Sequence, residues 1–391
     1  MPIKNRIAEF EADMRAWRHD FHRHPEICYE ETRTAGIVAD KLREWGIEVH
    51  EGIGKTGLVG VIKGKEEGEG SIGIRADMDA LPMQEEGDPE YKSQVAGKMH
   101  GCGHDGHTAT LLGAARYLSE TRNFKGTVNV IFQPAEEGGA GAKAMIDDGL
   151  FDRFPCDSVY GLHNMPTIPK NHVAIRKGAL MAAADSMQIK INGKGGHAAM
   201  PHLSIDPIAI GVQIYQAAQT LVSREINPLE GVVVSITQFH AGTANNVIPA
   251  EAFLDASIRT TSKAAKEMIK KRFQGLCDSF SKIHGIEIEC HYEDGYPVTE
   301  NHGAQVDRLV AAAEQVFGKD VIDTDMEPLM GSEDFSFMLE ERPGAFVFIG
   351  AQDENHQYSV HHPKYDFNDE LLTTGASLWA TLVEQELPRT G

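Results

Sequence analysis

The sequence predicts an α/β protein: a central, mostly parallel sheet flanked by helices, with a smaller ferredoxin-like α+β unit inserted into it. Three observations lead there. At 391 residues the chain exceeds one ordinary domain and can bury a substantial core. Helix-period and strand-period segments alternate through its first half, which favours parallel strands joined by crossover helices. Between 183 and 293 the order changes to β-α-β-β-α-β, the ferredoxin-like pattern.

Apolar residues at helical spacing place helices over 5–22 and 32–45, the second through Ile37, Leu42 and Trp45. Strands follow at 57–63 and 71–76, joined by the charged run 63–70, which reads as a solvated turn. A helix over 106–120 carries Leu111, Leu112, Ala115 and Leu118, with Asp105 as its expected N-cap. Strands at 127–132 and 157–162 complete the first segment. The insert is read as strand 187–191, helix 206–222, strands 231–239 and 251–259, helix 263–283 and strand 286–292. The first layout resumes with helix 303–317, strand 345–350 and a closing helix from 369. The expected division is therefore a discontinuous domain, 1–182 and 294–391, around an insert, 183–293.

Composition narrows the function. The chain has 37 basic and 58 acidic residues, a formal net charge of −21, which argues against nucleic acid or an anionic membrane as partner. No apolar segment is long enough to span a bilayer, and the amino terminus lacks the apolar core of a secretory signal. Five scattered cysteines form no disulfide framework, and a reducing cytoplasm is expected. Small molecules are the expected partners.

The chemistry concentrates in four clusters. In the run 99–107, Cys102 and His104 stand two positions apart between glycines, so a thiolate and an imidazole can turn toward one metal ion. By itself the pair also fits a Gly-rich loop holding an incidental thiol. Glu136 and Glu137 directly follow the 127–132 strand, where open α/β sheets collect ligands. Neighbours in an extended segment point to opposite sides, so one glutamate can bind metal while the other handles protons. His163 follows the next strand, and His361 lies in Val360-His361-His362-Pro363. Cys102, His104, Glu137, His163 and His361 together offer more donors than one tetrahedral ion needs, which points to two metals and an exchangeable water.

With these motifs in order, the chain resembles the M20 metallopeptidase and amidohydrolase superfamily, in the branch of hippurate hydrolases, N-acyl-L-amino-acid amidohydrolases and auxin-conjugate hydrolases. The likeness covers essentially the whole chain. It rests on Phe21-His22-Arg23-His24-Pro25-Glu26, Arg75-Ala76-Asp77-Met78-Asp79-Ala80-Leu81-Pro82, the 100–107 run, 133–139, 193–202, Asn246-Val247-Ile248-Pro249 and 360–363. The resemblance implies that Cys102, His104, Glu137, His163 and His361 bind a dinuclear centre and that Glu136 is the general base. Asp77 stands where the wider superfamily has a metal-binding histidine, so it is not assigned as a ligand, and Cys102 compensates. Asp79 matches an acidic residue that supports the site. His197 and Asn246, from the insert of a partner subunit, are implied to stabilise the oxyanion. Arg259 matches a substrate-binding arginine suited to a carboxylate, and Gly331, in the run 330–335, matches a loop near the substrate.

The implied reaction is hydrolysis of an N-acyl or N-aroyl L-amino acid to a carboxylate and a free amino acid. A dipeptidase or carboxypeptidase would use the same centre, and a non-catalytic metal-dependent binding protein is the reading from another class. Retention of Glu136 argues against the last. A thiolate among the ligands disfavours magnesium and calcium, leaving zinc as the default, with manganese, cobalt and nickel as competitors. The insert is implied to act as a lid and dimerisation domain, giving a homodimer or a homotetramer.

Overall fold

A computed structural model describes residues 3–390. The chain divides into two compact units: 1–178 with 300–326 and 334–391, and 179–299 with 327–333.

The first unit is built on an eight-stranded mixed sheet. Its strands run, across the sheet, Glu48–Ile53, Gly57–Lys63, Lys125–Gln133, Glu66–Asp77, Ser158–Pro169, Gly344–Gln352, Val173–Ala174 and Ile322–Asp323. The four central strands are mutually parallel, while the first two join antiparallel at one edge. Parallel pairing buries both faces, and the apolar run Ile72, Ile74 and Ala76 in Glu66–Asp77 lies in the interior accordingly. Helix His104–Thr121 packs against this sheet and against helix Leu371–Glu386, which also touches the sheet. Its Leu111, Leu112 and Leu118 are fully buried, each contributing about 1.5–3 kcal/mol of transfer free energy.

Three local expectations are corrected. The helix expected over 5–22 is two helices, Ile3–Ala8 and Glu11–Arg23, broken at 9–10. The charged run 63–70 is not all turn, since the strand begins at Glu66 and pairs with Lys125. Asp105 is not the N-cap: His104 opens the helix and Gly103 occupies the cap position at φ 97°. That left-handed geometry favours glycine, and a β-carbon there would also lie 2.2 Å from Asn164 Oδ1. Asp105 lies in the first turn and turns its carboxylate onto the Gly106 amide, His22 and Arg18.

The second unit holds a four-stranded antiparallel sheet in the order Val232–Ala241, Glu251–Thr260, Ala183–Asn192, Glu287–Tyr296. Helices Pro207–Glu225 and Lys263–His284 cover one face, burying Ile189, Ile191, Leu254, Ile258, Ile214 and Phe273. Asp206 caps the first helix by accepting from the Ile208 and Ala209 amides, and Ser262 caps the second from Ala265. Residues 327–333 join this unit through Leu329, which exchanges backbone hydrogen bonds with Leu180 and Ala182. Among the described residues no helix is long and apolar enough to cross a membrane.

Candidate metal centre

In the first unit, the carboxyl ends of the parallel strands bring four segments together: Asp77 and Asp79 after one strand, the 133–137 turn after the next, His163 within the third, and the Gly-rich loop that carries Cys102 and His104. The loop 359–363 closes onto them where the His361 amide donates to the Gly101 carbonyl at 2.7 Å. His361 itself sits at φ 64°, a conformation costly for a non-glycine residue and concentrated at functional sites.

The five expected ligands converge. Cys102 Sγ lies 3.3 Å from His163 Nε2, and His361 Nε2 lies 3.0 Å from Glu137 Oε1. Donor atoms within 4.8 Å of one another form three groups here: Cys102 with His104 and His163, Cys102 with Glu137 and His361, and His104 with Glu136 and Glu137. Cys102 belongs to two of them. The tautomers fit as well. His163 Nδ1 faces the Asn164 carbonyl at 2.6 Å, so it carries the proton and leaves Nε2 as a lone-pair donor. His104 Nδ1 is directed by Asp79 at 3.3 Å, while its buried Nε2 has no hydrogen-bond partner. A buried ring nitrogen with no hydrogen bond, 3.8 Å from the Asp77 carboxylate and surrounded by thiol and carboxylate groups, suits a metal ligand.

Electrostatics agree with the donor set. Burial would lower the His104 pKa, but the Asp77 and Asp79 carboxylates overcome it and raise the value to about 10. Burial pushes the Cys102 thiol up, and Glu137, Glu136 and Asp77 push it further. Burial and the neighbouring His107 hold His163 neutral. Without a cation this cluster retains protons that a bound cation would displace.

Asp77, His104 and His107 also bring donor atoms within 4.8 Å of one another, yet the oxygens of Asp77 are engaged. Arg75 Nη1 donates to it at 2.7 Å, and His107 Nδ1 lies 2.7 Å away. Arg75 also reaches Gln133 at 2.7 Å and Asp334 at 3.1 Å, and Gln133 donates to Asp334 at 2.8 Å. This buried lattice ties the ends of two strands to the start of helix Phe335–Glu341. Its members lie inside runs singled out by sequence, but their pairing across 201 residues leaves no local signal.

Asp79 lies beside these groups and makes three contacts. Its Oδ1 accepts from the Glu136 amide at 3.0 Å and its Oδ2 from the Glu137 amide at 2.9 Å, while Oδ1 also faces His104. One carboxylate therefore orients the His104 imidazole and the backbone of both glutamates. Asp79→Asn would turn an NH2 group toward one of these donors. Metal affinity or kcat/KM is expected to fall about 10–100-fold, read by titration and steady-state kinetics; an unchanged value would remove Asp79 from this role.

The second unit holds the other expected residues. His197 and Asn246 share one small ribbon, in which His197 pairs with Val247 and the Asn246 carbonyl accepts from Ala198 at 3.1 Å. The Ala199 amide donates to His197 Nδ1 at 3.1 Å, so the neutral ring presents Nε2–H as a donor. Arg259 lines a cavity of about 300 Å³ with Asp185, Thr237, Asp255 and Glu293. Its Nη1 donates to Ser257 Oγ at 3.0 Å and the Ile258 carbonyl at 2.9 Å. Gly331 is exposed; its carbonyl accepts from Ala182 at 3.0 Å, and its φ is not in the left-handed region.

Comparison with known proteins places these features in context. The family described as peptidase family M20/M25/M40 matches residues 73–385. The hippurate hydrolase of Campylobacter jejuni is 43% identical over 376 residues, covering 96% of this chain and 97% of that protein. Thermostable carboxypeptidase 2 of Saccharolobus solfataricus is 39% identical over 387 residues, covering 97% of each. Among solved structures, the Bacillus subtilis YXEP protein, a dinuclear metal-binding peptidase from the M20 family, superposes with a TM-score of 0.85 at 34% identity, covering 97% of this chain and 99% of that one.

Proposed function

Because this chain belongs to peptidase family M20/M25/M40, whose relatives here are hydrolases, we propose that it cleaves the amide bond of N-acyl or N-aroyl L-amino acids, such as hippurate-like substrates. The observation that carries this reading is the convergence of Cys102, His104, Glu137, His163 and His361 beside a second glutamate, Glu136, that is 7% exposed and backed by the Asp334 amide at 3.4 Å. The five donors would suit two divalent ions, and zinc fits the thiolate and imidazoles first, ahead of manganese, cobalt or nickel.

Divalent ions bound there would supply Lewis acidity, polarising the amide carbonyl and making water acidic enough to attack. Glu136 takes the proton of the attacking water and returns it to the leaving amine. Asp79 and the Asp334 amide hold Glu136 in place for both transfers. His197, through Nε2–H, and Asn246, presented by the insert of a partner subunit, donate to the oxyanion. The guanidinium of Arg259 receives the substrate carboxylate, beside the loop that carries Gly331.

A homodimer through the insert, or a homotetramer built from it, accords with the edge strand Val232–Ala241. Val233 and Phe239 on that strand, and Ile208, Val212 and Tyr215 on helix Pro207–Glu225, are exposed. All five cysteines are free thiols, which fits a cytoplasmic setting. We assign the discontinuous part, 1–182 and 294–391, to catalysis and 183–293 to the lid and pairing role.

The relatives span hippurate hydrolase and carboxypeptidase, so the substrate decides. With zinc or manganese supplied, N-benzoyl and N-acetyl amino acids are expected to exceed free-amine dipeptides in kcat/KM by at least about tenfold. The reverse order would make the enzyme a dipeptidase.

A further inference from the structure

We infer that Glu31 is a positioning residue for amide hydrolysis: it holds the 134–137 turn in the one conformation that aims Glu136. The inference rests on Glu136 being the base. Glu31 is fully buried, and its carboxylate joins three segments far apart in sequence. Oε1 accepts from the Tyr29 amide at 2.9 Å and from the Ala135 amide at 2.9 Å, while Oε2 accepts from Thr56 Oγ1 at 2.6 Å.

Ala135 is the residue that needs this help. It is fully buried and sits at φ 53°, ψ 44°, the left-handed region that an L-residue with a β-carbon avoids. It is also the hinge between the strand Lys125–Gln133 and the two glutamates, so its dihedrals set where Glu136 points. Asp79 fixes the amides of Glu136 and Glu137, and the Gly141 amide donates to the Ala135 carbonyl at 3.1 Å, so the peptide after Ala135 is held. Glu31 holds the peptide before it by taking the Ala135 amide, a buried donor that would otherwise lack a partner. Tyr29 is itself held at φ 62° and donates through its hydroxyl to the Gly139 carbonyl at 2.7 Å. The same loop therefore grips both ends of the 135–139 segment.

The test separates aim from mere packing. Glu31→Ala in the metal-loaded protein is expected to lower kcat on the order of 100-fold, with KM little changed, because a small misplacement of a reacting group costs that much. Adding Ala135→Gly, which enters the left-handed region without penalty, is expected to recover about tenfold of the loss. Hydrogen–deuterium exchange of peptides covering 133–141 is expected to rise in Glu31→Ala and not in Glu136→Gln. Should Glu31→Ala fail to fold, Glu31→Asp keeps the charge but withdraws the oxygen from the Ala135 amide, and the same loss and recovery are expected. Unchanged kcat in a folded Glu31 variant, or a loss that Ala135→Gly does not recover, would overturn the inference. Glu136→Gln serves as the control: if it retains wild-type turnover, the assignment of the base fails, and the exchange data alone judge the Glu31 contact.

Discussion

Glu136→Gln is expected to lower kcat by about 10³-fold while leaving metal content at the wild-type level, since removing a positioned general base costs of this order. The two halves of that expectation have separate structural grounds. Glu136 and Glu137 are adjacent, and both lie within reach of His104, so proximity does not assign their roles. Their partners do. Glu137 Oε1 meets the ring of His361 at 3.0 Å, as two ligands of one ion would. The carboxylate of Glu136 instead accepts from the backbone amide of Asp334, an uncharged donor that orients it. Glu137→Gln should therefore show the opposite profile, with metal lost first and activity lost as a consequence. Elemental analysis alongside single-turnover kinetics distinguishes the two, and equal metal loss in both variants would make Glu136 a ligand rather than the base.

Cys102→Ser is expected to weaken metal binding by more than the ~10–100-fold that loss of a supporting residue costs. Cys102 belongs to two of the ligand groups, one with His104 and His163 and one with Glu137 and His361, so both are damaged by one substitution. A serine hydroxyl keeps the size but holds its proton far more tightly than a thiol. In the wild-type protein the thiol pKa is raised by burial and by Glu137 and Glu136, so a cation must displace a proton to bind. Apparent affinity in the wild type should then rise as pH rises, with protons released on binding, a trend that Cys102→Ser should flatten. Isothermal titration in buffers of different ionisation enthalpy measures the released protons directly, and wild-type affinity and proton release in the variant would exclude Cys102 as a ligand.

Much of this was legible in the sequence, for identifiable reasons. The helix His104–Thr121 and the strand Lys125–Gln133 announce themselves by apolar spacing, because each buries a continuous face. Cys102 and His104 stand out because a thiol and an imidazole between glycines have few structural uses. The run 66–70 misled because alternating glutamate and glycine resembles a solvated turn, whereas its backbone extends the strand toward Lys125. Asp105 misled because its composition suits a cap, while the tight approach to Asn164 gives the cap position to Gly103. What stayed hidden was long-range. Glu31 serves Ala135 across 104 residues, and Asp334 serves Arg75 across 259; no local pattern encodes such partners. Two non-glycine residues in the left-handed region, Ala135 and His361, mark the centre as clearly as any motif, but only a backbone reveals them.

The central claim is that side chains from four separated segments share bound divalent cations at the carboxyl ends of the parallel strands. Anomalous diffraction from crystals of the metal-loaded protein, recorded at the absorption edge of the added metal, tests it most directly. Two peaks are expected within bonding distance of Cys102, His104, His163, Glu137 and His361. A peak held instead by Asp77 and His107, or no peak within bonding distance of Cys102, would contradict the account.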